Sequence, residues 1–185
     1  YVNGKEAGYW PYGYSSFQID TTPYLKTGEA NELAVRLENE PESSRWYPGA
    51  GLYRNVHLVV TEEAHIPTWG TYLTTPVVKD EFAKVHLEIR WNLPEEKEIT
   101  DYRIVTDILN SEGNKVASDE RPGDALEKGM FVQDFVVYKP ALWSPESPLL
   151  YKAISKVYEG DKLLDEYTTH FGIRTIEIIP EKVSS

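Results

Sequence analysis

The regular pattern of this chain is interrupted at one segment, Ser44-Arg45-Trp46-Tyr47-Pro48-Gly49-Ala50-Gly51-Leu52-Tyr53-Arg54-Asn55-Val56. Apolar residues alternate with other residues on both sides of it, at 33–37 and at 56–60, which predicts two half-buried strands. The proline and two glycines between them disfavour a helix or a regular strand, so the backbone is expected to turn or bulge. Arg45, Trp46 and Tyr47 are therefore predicted on an irregular loop held by a sheet, where binding residues are often found.

Length and composition limit the classes of protein to consider. The chain has 185 residues, enough for one domain or two small ones, and its apolar content of 41% is that of a folded protein. The 30 acidic and 19 basic residues give a formal net charge of -11, which disfavours nucleic acid and anionic membranes as partners. Without cysteine, disulfides and thiolate metal sites are excluded, and no apolar run reaches the roughly 20 residues of a membrane span.

The first 63 residues are predicted to form short strands separated by turns. Asn3-Gly4 is a strong hairpin signal, and the aromatic segment at 9–14 contains a proline and a glycine that exclude a helix. Phe17 and Ile19 supply a further apolar face. These strands are too few to close a sandwich, so this part is expected to be the weaker one in isolation.

The pattern from residue 64 to residue 178 predicts a complete β-sandwich. The predicted strands include 84–91, 102–109, a short edge strand at 115–118, 130–138, 150–158 and 163–171. About seven strands in roughly 110 residues are typical of an immunoglobulin-like fold. Because the chain lacks the disulfide of antibody domains, Trp91 is expected to fill the core by itself.

The order of several motifs resembles one enzyme family, the family 2 glycoside hydrolases, to which the β-galactosidases belong. The motifs in the first part are Val2-Asn3-Gly4-Lys5, Tyr14-Ser15-Ser16-Phe17-Gln18-Ile19-Asp20, Pro23-Tyr24-Leu25-Lys26, Asn31-Glu32-Leu33-Ala34-Val35 and the segment at 44–56. The later ones are His65-Ile66-Pro67-Thr68-Trp69-Gly70-Thr71-Tyr72, Leu142-Trp143-Ser144-Pro145, Leu149-Leu150-Tyr151 and Phe171-Gly172-Ile173-Arg174-Thr175. The resemblance covers residues 1 to about 178.

This resemblance implies an all-β chain with three parts. Residues 1–63 are a partial sugar-binding domain of jelly-roll-like (galactose-binding-like) fold, and residues 64–178 are an immunoglobulin-like β-sandwich. Residues 179–185 are a connector to a catalytic (β/α)8 barrel that this sequence lacks. The chain, which starts at Tyr1 without an initiator methionine, is interpreted as a fragment whose partners are the missing half-domain and the barrel.

The resemblance also implies the activity of the parent protein. It would be a retaining β-glycosidase, most similar to a β-galactosidase, that acts on a terminal β-linked sugar in carbohydrate metabolism. The present residues form a non-catalytic N-terminal portion and require no cofactor. The compartment is undetermined, although the family is compatible with a secreted or periplasmic protein.

No catalytic or metal-binding residue is predicted in this chain. In the family an asparagine precedes the acid/base glutamate, and Asn31-Glu32 and Asn39-Glu40 have that order. Both pairs flank a predicted strand of the sugar-binding part, so solvated strand ends are the preferred interpretation. The four histidines have no ligand spacing, and they are His57, His65, His86 and His170.

Arg45 and Trp46 are the candidate substrate-binding residues. In the family, the loop that carries them directs a few side chains at the sugar pocket, so Trp46 would stack on a sugar face while Arg45 donates hydrogen bonds. Several members have an acidic residue in place of Arg45. The alternative is a domain-interface patch in which Arg45 stacks on an aromatic ring. Arg54 is expected to pair with a carboxylate inside the sheet.

Two other interpretations from different classes remain. Tyr9, Trp10, Tyr12 and Tyr14 are expected to be a hydrophobic patch covered by the missing half-domain, or else a sugar-binding platform. In the second case, the chain is a stand-alone carbohydrate-binding module that uses Trp10 and Trp46. A structural, adhesion-type sandwich would bind no sugar and keep its aromatic residues buried.

Trp69 and Trp143 are predicted as core or interface anchors of the sandwich.

Overall fold

The computed structural model describes residues 1–39, 51–93 and 98–176. The chain forms two compact units, Tyr1–Leu58 and Val59–Ser185. The described residues contain seven strands and three short 3₁₀ helices, so the predicted all-β fold class is confirmed. All the strands lie in the second unit, and the first unit contains the 3₁₀ helix Thr22–Tyr24.

The second unit is a sandwich of two antiparallel sheets. Its strands are β1 (Thr71–Val78), β2 (Phe82–Arg90), β3 (Tyr102–Leu109), β4 (Lys115–Pro122), β5 (Met130–Tyr138), β6 (Tyr151–Glu159) and β7 (Lys162–Phe171), with 3₁₀ helices at Ile99–Asp101 and Gly123–Ala125. One sheet has the order β1-β2-β5 and the other β4-β3-β6-β7. The predicted immunoglobulin-like sandwich is confirmed. Its fourth strand pairs with β3, whereas the constant-type immunoglobulin domain places this strand in the opposite sheet.

Strand β4 is longer than the sequence pattern predicts. The apolar pattern indicates an edge strand at 115–118, but the ladder continues to Pro122, which is opposite Arg103 on β3. Residues 119–121 are all charged and have little intrinsic preference for a strand. Their conformation follows from pairing with β3, which is a property of the tertiary structure.

The core lies between the two sheets and is made by strict alternation along each strand. On β2 the residues Val85, Leu87 and Ile89 are buried, and the residues between them face outward. Trp91 is buried at the end of this strand, with its ring 4.9 Å from the Tyr102 ring and 5.6 Å from the Phe131 ring. Aromatic contacts between the sheets therefore occupy the place that a disulfide fills in antibody domains.

Three polar side chains are fully buried in this apolar core. Thr106 on β3 donates a hydrogen bond to the side-chain oxygen of Gln133 on β5 at 2.6 Å, and its hydroxyl lies 2.9 Å from that of Ser155 on β6. The Gln133 amide also donates to the carbonyl of Asp119 on β4 at 3.2 Å. The cluster thus joins β5 of the three-stranded sheet to three strands of the other sheet.

The first unit is ordered around its hairpin. Asn3 and Gly4 both have positive φ, and the backbone bonds between Val2 and Lys5 close a two-residue turn, which confirms the hairpin signal. The Asn3 side chain donates to the carbonyl of Tyr24 at 2.9 Å and to the side chain of Asn31 at 2.8 Å. One asparagine therefore links three separate segments.

The two strands predicted around the central segment are wrong for the described residues. The chain at 33–37 and 51–60 has no regular ladder, and only an isolated bridge joins Leu33 to Val2. Leu33, Val35 and Leu37 are exposed. Alternation supplies an apolar face, but a strand also requires a neighbour along its length, and among the described residues these segments have only the short contact of Leu33 and Ala34 with Tyr1 and Val2.

We expect Thr106→Val to destabilise the sandwich by about 1–3 kcal/mol, because it leaves the buried Gln133 oxygen without a donor. Urea denaturation measures the change. Thr168→Val is the matched control, since Thr168 is an exposed residue on β7. The combined variant Thr106→Val, Gln133→Leu and Ser155→Ala should recover part of the loss, because no polar group remains unpaired. Equal effects of Thr106→Val and Thr168→Val would contradict the role of the cluster.

Candidate functional site

The predicted substrate-binding residues Arg45 and Trp46 lie outside the described residues, as does Glu40 of the Asn39-Glu40 pair. Their roles therefore stay predictions. Arg54, on the same segment, is described and differs from the prediction of a carboxylate partner. Its guanidinium carbon lies 5.4 Å from the centroid of the Tyr53 ring, and in the described part of the chain it forms no ion pair.

The Asn31-Glu32 pair has a structural position in the first unit. The Asn31 side chain accepts a hydrogen bond from the Lys26 amide at 2.8 Å and donates to the Lys26 carbonyl at 3.0 Å. The Glu32 amide donates to the Asn3 side chain at 3.0 Å. These bonds tie the loop at 26–31 to the hairpin, although the strand that the pair was predicted to flank is not formed, and the non-catalytic role of the pair stays a prediction.

The aromatic segment at 9–14 is exposed in the first unit. The Trp10 ring stacks on the Phe17 ring at 5.7 Å, and its indole N–H donates to the Ser15 hydroxyl at 3.1 Å. Tyr12 and Tyr14 pack edge to face at 5.8 Å. These contacts hold four aromatic rings on one loop with much of their surface open to solvent.

A second exposed aromatic group lies on the sandwich, just before β1. The Gly70 amide donates to the Pro67 carbonyl at 2.7 Å and closes a four-residue turn. Trp69 is the third residue of this turn and has a φ of 59°. Type II turns require positive φ at this position and usually place glycine there. For a bulky residue this conformation costs on the order of 1–2 kcal/mol, so the Trp69 backbone is strained.

Hydrogen bonds to β7 hold this strained turn in place. The Asp165 carboxylate accepts from the Ile66 amide at 2.8 Å, and the Tyr167 hydroxyl accepts from the Trp69 amide at 3.0 Å. The hydroxyls of Thr71 and Thr169 are 2.8 Å apart. Three alternate positions on the side of β7 that also carries the buried Phe171 therefore bind the segment at 66–71, and the two sheets are joined along this side.

The turn borders a depression of about 150 Å³ on the outer face of the three-stranded sheet. Its lining includes Trp69, Tyr72, Glu88, Arg90 and Met130. The strand register explains the arrangement, because Tyr72 is opposite Glu88, and Arg90 is opposite Met130 in the adjacent row. Trp69 is 56% exposed and Tyr72 is 62% exposed, although both are large aromatic side chains.

His86 lies on the same outer face, between two carboxylates. Its Nδ1 donates to Asp134 on the neighbouring strand at 2.8 Å, and its Nε2 lies 3.5 Å from a Glu88 oxygen. The hydrogen bond to Asp134 raises the pKa of His86 above its ordinary value, and burial opposes this effect. The sequence places His86 correctly on the polar face of β2, but only the register with β5 reveals its partner.

The outer face of the four-stranded sheet has a different character. Cross-strand ion pairs cover it, at Arg103–Glu120 (3.3 Å), Lys115–Asp107 (3.2 Å) and Lys156–Glu166 (3.6 Å). Within residues 1–39, 51–93 and 98–176, no group of three His, Asp or Glu side chains is arranged to hold a metal ion. The same ranges contain no helix with the length and apolar character required to span a membrane.

The two tryptophans predicted as anchors occupy different environments. Trp143 is half-buried, with the Arg174 guanidinium 4.6 Å from its ring centroid and the Gly172 backbone against its side chain. Trp69 instead projects from a turn beside the depression. The sequence contains one signal for this difference, since tryptophan precedes a glycine two residues after a proline. The neighbours on β2 and β5 follow only from the register.

Comparison with known proteins links this sandwich to an enzyme family. The model of the family described as Glycosyl hydrolases family 2 matches residues 64–174. The chain is 40% identical to the β-galactosidase BoGH2A of Bacteroides ovatus, over 98% of this chain and 22% of that protein. It is 30% identical to a β-glucuronidase of Formosa agariphila, over 96% of this chain and 20% of that protein.

A solved structure agrees with these sequence matches. It is a member of glycosyl hydrolase family 2 from Bacteroides cellulosilyticus, with a TM-score of 0.87 and 36% identity. The alignment covers 96% of this chain and 24% of that chain. The present chain therefore spans about a fifth of the length of the relatives it matches.

We expect the contribution of His86 to stability to decrease as the pH rises. Its pKa is raised by folding, so the contribution is fully present below the unfolded pKa of about 6.5 and is lost as the pH passes the folded-state pKa. Because Asp134 is largely exposed, the effect should stay below about 1 kcal/mol.

Urea denaturation of the wild type and His86→Gln across this pH range measures the effect. The difference in the free energy of unfolding should be largest at the acid end. Asp134→Asn is the control, because it removes the principal acceptor and should reduce the pH dependence in the same way. A difference that is constant with pH would show that the ion pair contributes nothing.

Proposed function

Since the chain belongs to glycosyl hydrolases family 2, we propose that it is the non-catalytic N-terminal portion of a longer retaining β-glycosidase. The observation that carries this proposal is the match of the family model to the sandwich, together with relatives about five times as long. In such a protein the catalytic pair of carboxylates would lie on residues beyond this chain. A retaining mechanism requires those two groups about 5–5.5 Å apart.

The proposed parent acts on a terminal β-linked galactose. The support is the 40% identity to a protein named as a β-galactosidase. A β-glucuronidase is also among the relatives, so the test compares β-linked galactose with β-linked glucuronic acid. They differ at two carbons, because glucuronic acid carries a carboxylate at C6 where galactose carries a neutral hydroxymethyl group, and the two sugars have opposite configurations at C4.

The proposed organisation follows the three predicted parts. Residues 1–63 belong to a sugar-binding domain, residues 64–178 form a spacer domain, and residues 179–185 lead to the catalytic barrel. Arg45 and Trp46, on the loop of the first part, are proposed to reach the sugar pocket. There Arg45 would donate hydrogen bonds to hydroxyl groups, since a guanidinium has no acceptor.

A second candidate function is carbohydrate binding by the chain itself. The exposed rings of Tyr9, Trp10, Tyr12 and Tyr14 favour it, because large exposed aromatic side chains commonly mark contact surfaces. A covering domain of the longer protein accounts for the same exposure. Binding of sugar to the isolated chain separates these two explanations.

The chain alone is expected to hydrolyse neither chromogenic β-galactosides nor chromogenic β-glucuronides. A longer protein that contains this chain and a barrel should hydrolyse the galactoside. Both are assayed after the same purification, with the elution profile of activity compared with that of the protein. Turnover that follows the 185-residue chain through successive columns would overturn the proposal, and a preference of the longer protein for glucuronides would correct the sugar.

Arg45→Ala in the longer protein should lower kcat/KM by about 10- to 100-fold, the loss of one charge-assisted hydrogen bond. Arg36→Ala is a matched control, because Arg36 is an exposed arginine of the same unit paired with Glu38. Thermal denaturation of both variants checks that the fold is intact. Unchanged kinetics for Arg45→Ala would assign Arg45 to a domain interface.

A further inference from the structure

The depression beside β1 combines two features that the sandwich fold does not require. Trp69 holds a strained backbone where glycine would be unstrained, and its indole is more than half exposed. Tyr72 is exposed beside it. Strain at a bulky residue persists when the surroundings enforce it, and such positions cluster at ligand-binding sites. The bond from the Trp69 amide to Tyr167 is the enforcing contact.

The polar residues of the depression provide both kinds of hydrogen-bonding group. The Glu88 carboxylate can only accept, and the Arg90 guanidinium can only donate. One Glu88 oxygen lies 3.5 Å from His86, and Arg90 has no carboxylate partner in the described part of the chain. On the opposite sheet, by contrast, Arg103 pairs with Glu120. The depression therefore holds an arginine whose guanidinium forms no ion pair with any described residue.

Aromatic faces next to one donor and one acceptor group suit a ligand with an apolar ring face and a rim of hydroxyl groups. We propose that this depression binds a hexopyranose unit of a saccharide, with Trp69 and Tyr72 against the ring and with Glu88 and Arg90 on its hydroxyl groups. The site lies on the sandwich and includes neither Arg45 nor Trp46. The choice of a saccharide rests on the proposed function, which makes sugars the substrates of the longer protein.

The pairing of opposite charges explains why a neutral sugar is the expected ligand. The negative charge of Glu88 and the positive charge of Arg90 sum to zero. The carboxylates of Glu88 and Asp134 lie on either side of His86. An anionic sugar would gain from Arg90 but would face these two carboxylates. Replacing Arg90 by glutamine removes the one cation among the described lining residues and should weaken uronide binding more than galactoside binding.

The test is a titration of the 185-residue chain with methyl β-galactoside and, separately, methyl β-glucuronide. The indole N–H signal of Trp69, assigned by its loss in Trp69→Gly, reports the contact in a proton–nitrogen NMR spectrum, and the backbone amide signals of Tyr72 and Arg90 report binding in every variant. The galactoside should bind with a dissociation constant of about 1–10 mM, since a shallow site covers little of the ligand. Trp69→Gly should weaken binding at least tenfold while the Tm stays equal or rises, because glycine suits the turn.

Tyr138→Ala is the control, since Tyr138 is an exposed aromatic residue at the far end of β5, outside the depression. Its binding should equal that of the wild type. Binding that survives Trp69→Gly and is lost in Trp10→Ala would overturn the proposal and place the site on the aromatic loop. The absence of any NMR signal shift with either sugar would also overturn the proposal, and would indicate that this face of the sheet contacts protein instead. Neither result depends on hydrolysis by the longer protein, so the two proposals fail independently.

Discussion

The sandwich depends on a polar contact buried where only apolar residues are expected. Thr106, Gln133 and Ser155 satisfy one another between the sheets, and Gln133 reaches the backbone of β4 as well. Apolar packing is nondirectional, so many side-chain arrangements would bury similar area. A hydrogen-bonded cluster in a low-dielectric core tolerates much less displacement, since any unpaired member is costly. The alignment of the sheets, and with it every position on their outer faces, follows from this constraint.

The contacts of β7 with the segment before β1 also fix the two sheets relative to each other. Asp165, Tyr167 and Thr169 face that segment from alternate positions on the inward side of β7, so a shift of one sheet against the other would break all three contacts. The same contacts hold Trp69 in its strained conformation. The exposed aromatic edge of the three-stranded sheet is thus a consequence of how the two sheets are joined.

The two units differ in how their apolar residues are used. In the sandwich, alternation produces one buried face on each strand, as on β2 and β5. In the first unit similar alternation leaves Leu33, Val35 and Leu37 exposed, and Val2 is the one buried residue of its described part. Hydrogen bonds of the Asn3 and Asn31 side chains link the separate segments there. A unit of this kind has little apolar burial with which to stabilise itself.

The sequence alone determined the class of fold, the bounds of β3 and β5, the hairpin at Asn3-Gly4 and the resemblance to a glycosidase family. These features depend on local signals, namely alternation, turn residues and the order of motifs. Strand prediction from the sequence was wrong for β4 beyond residue 118 and for the segments at 33–37 and 56–60. A strand requires a pairing partner, which the local sequence pattern does not reveal. Only the tertiary structure brought His86 to Asp134, Gln133 to Thr106, and Trp69 to Glu88 and Arg90. The first pair comes from the register between β2 and β5, the second from packing between the two sheets, and the third from the turn before β1, and none of these is encoded in local sequence pattern.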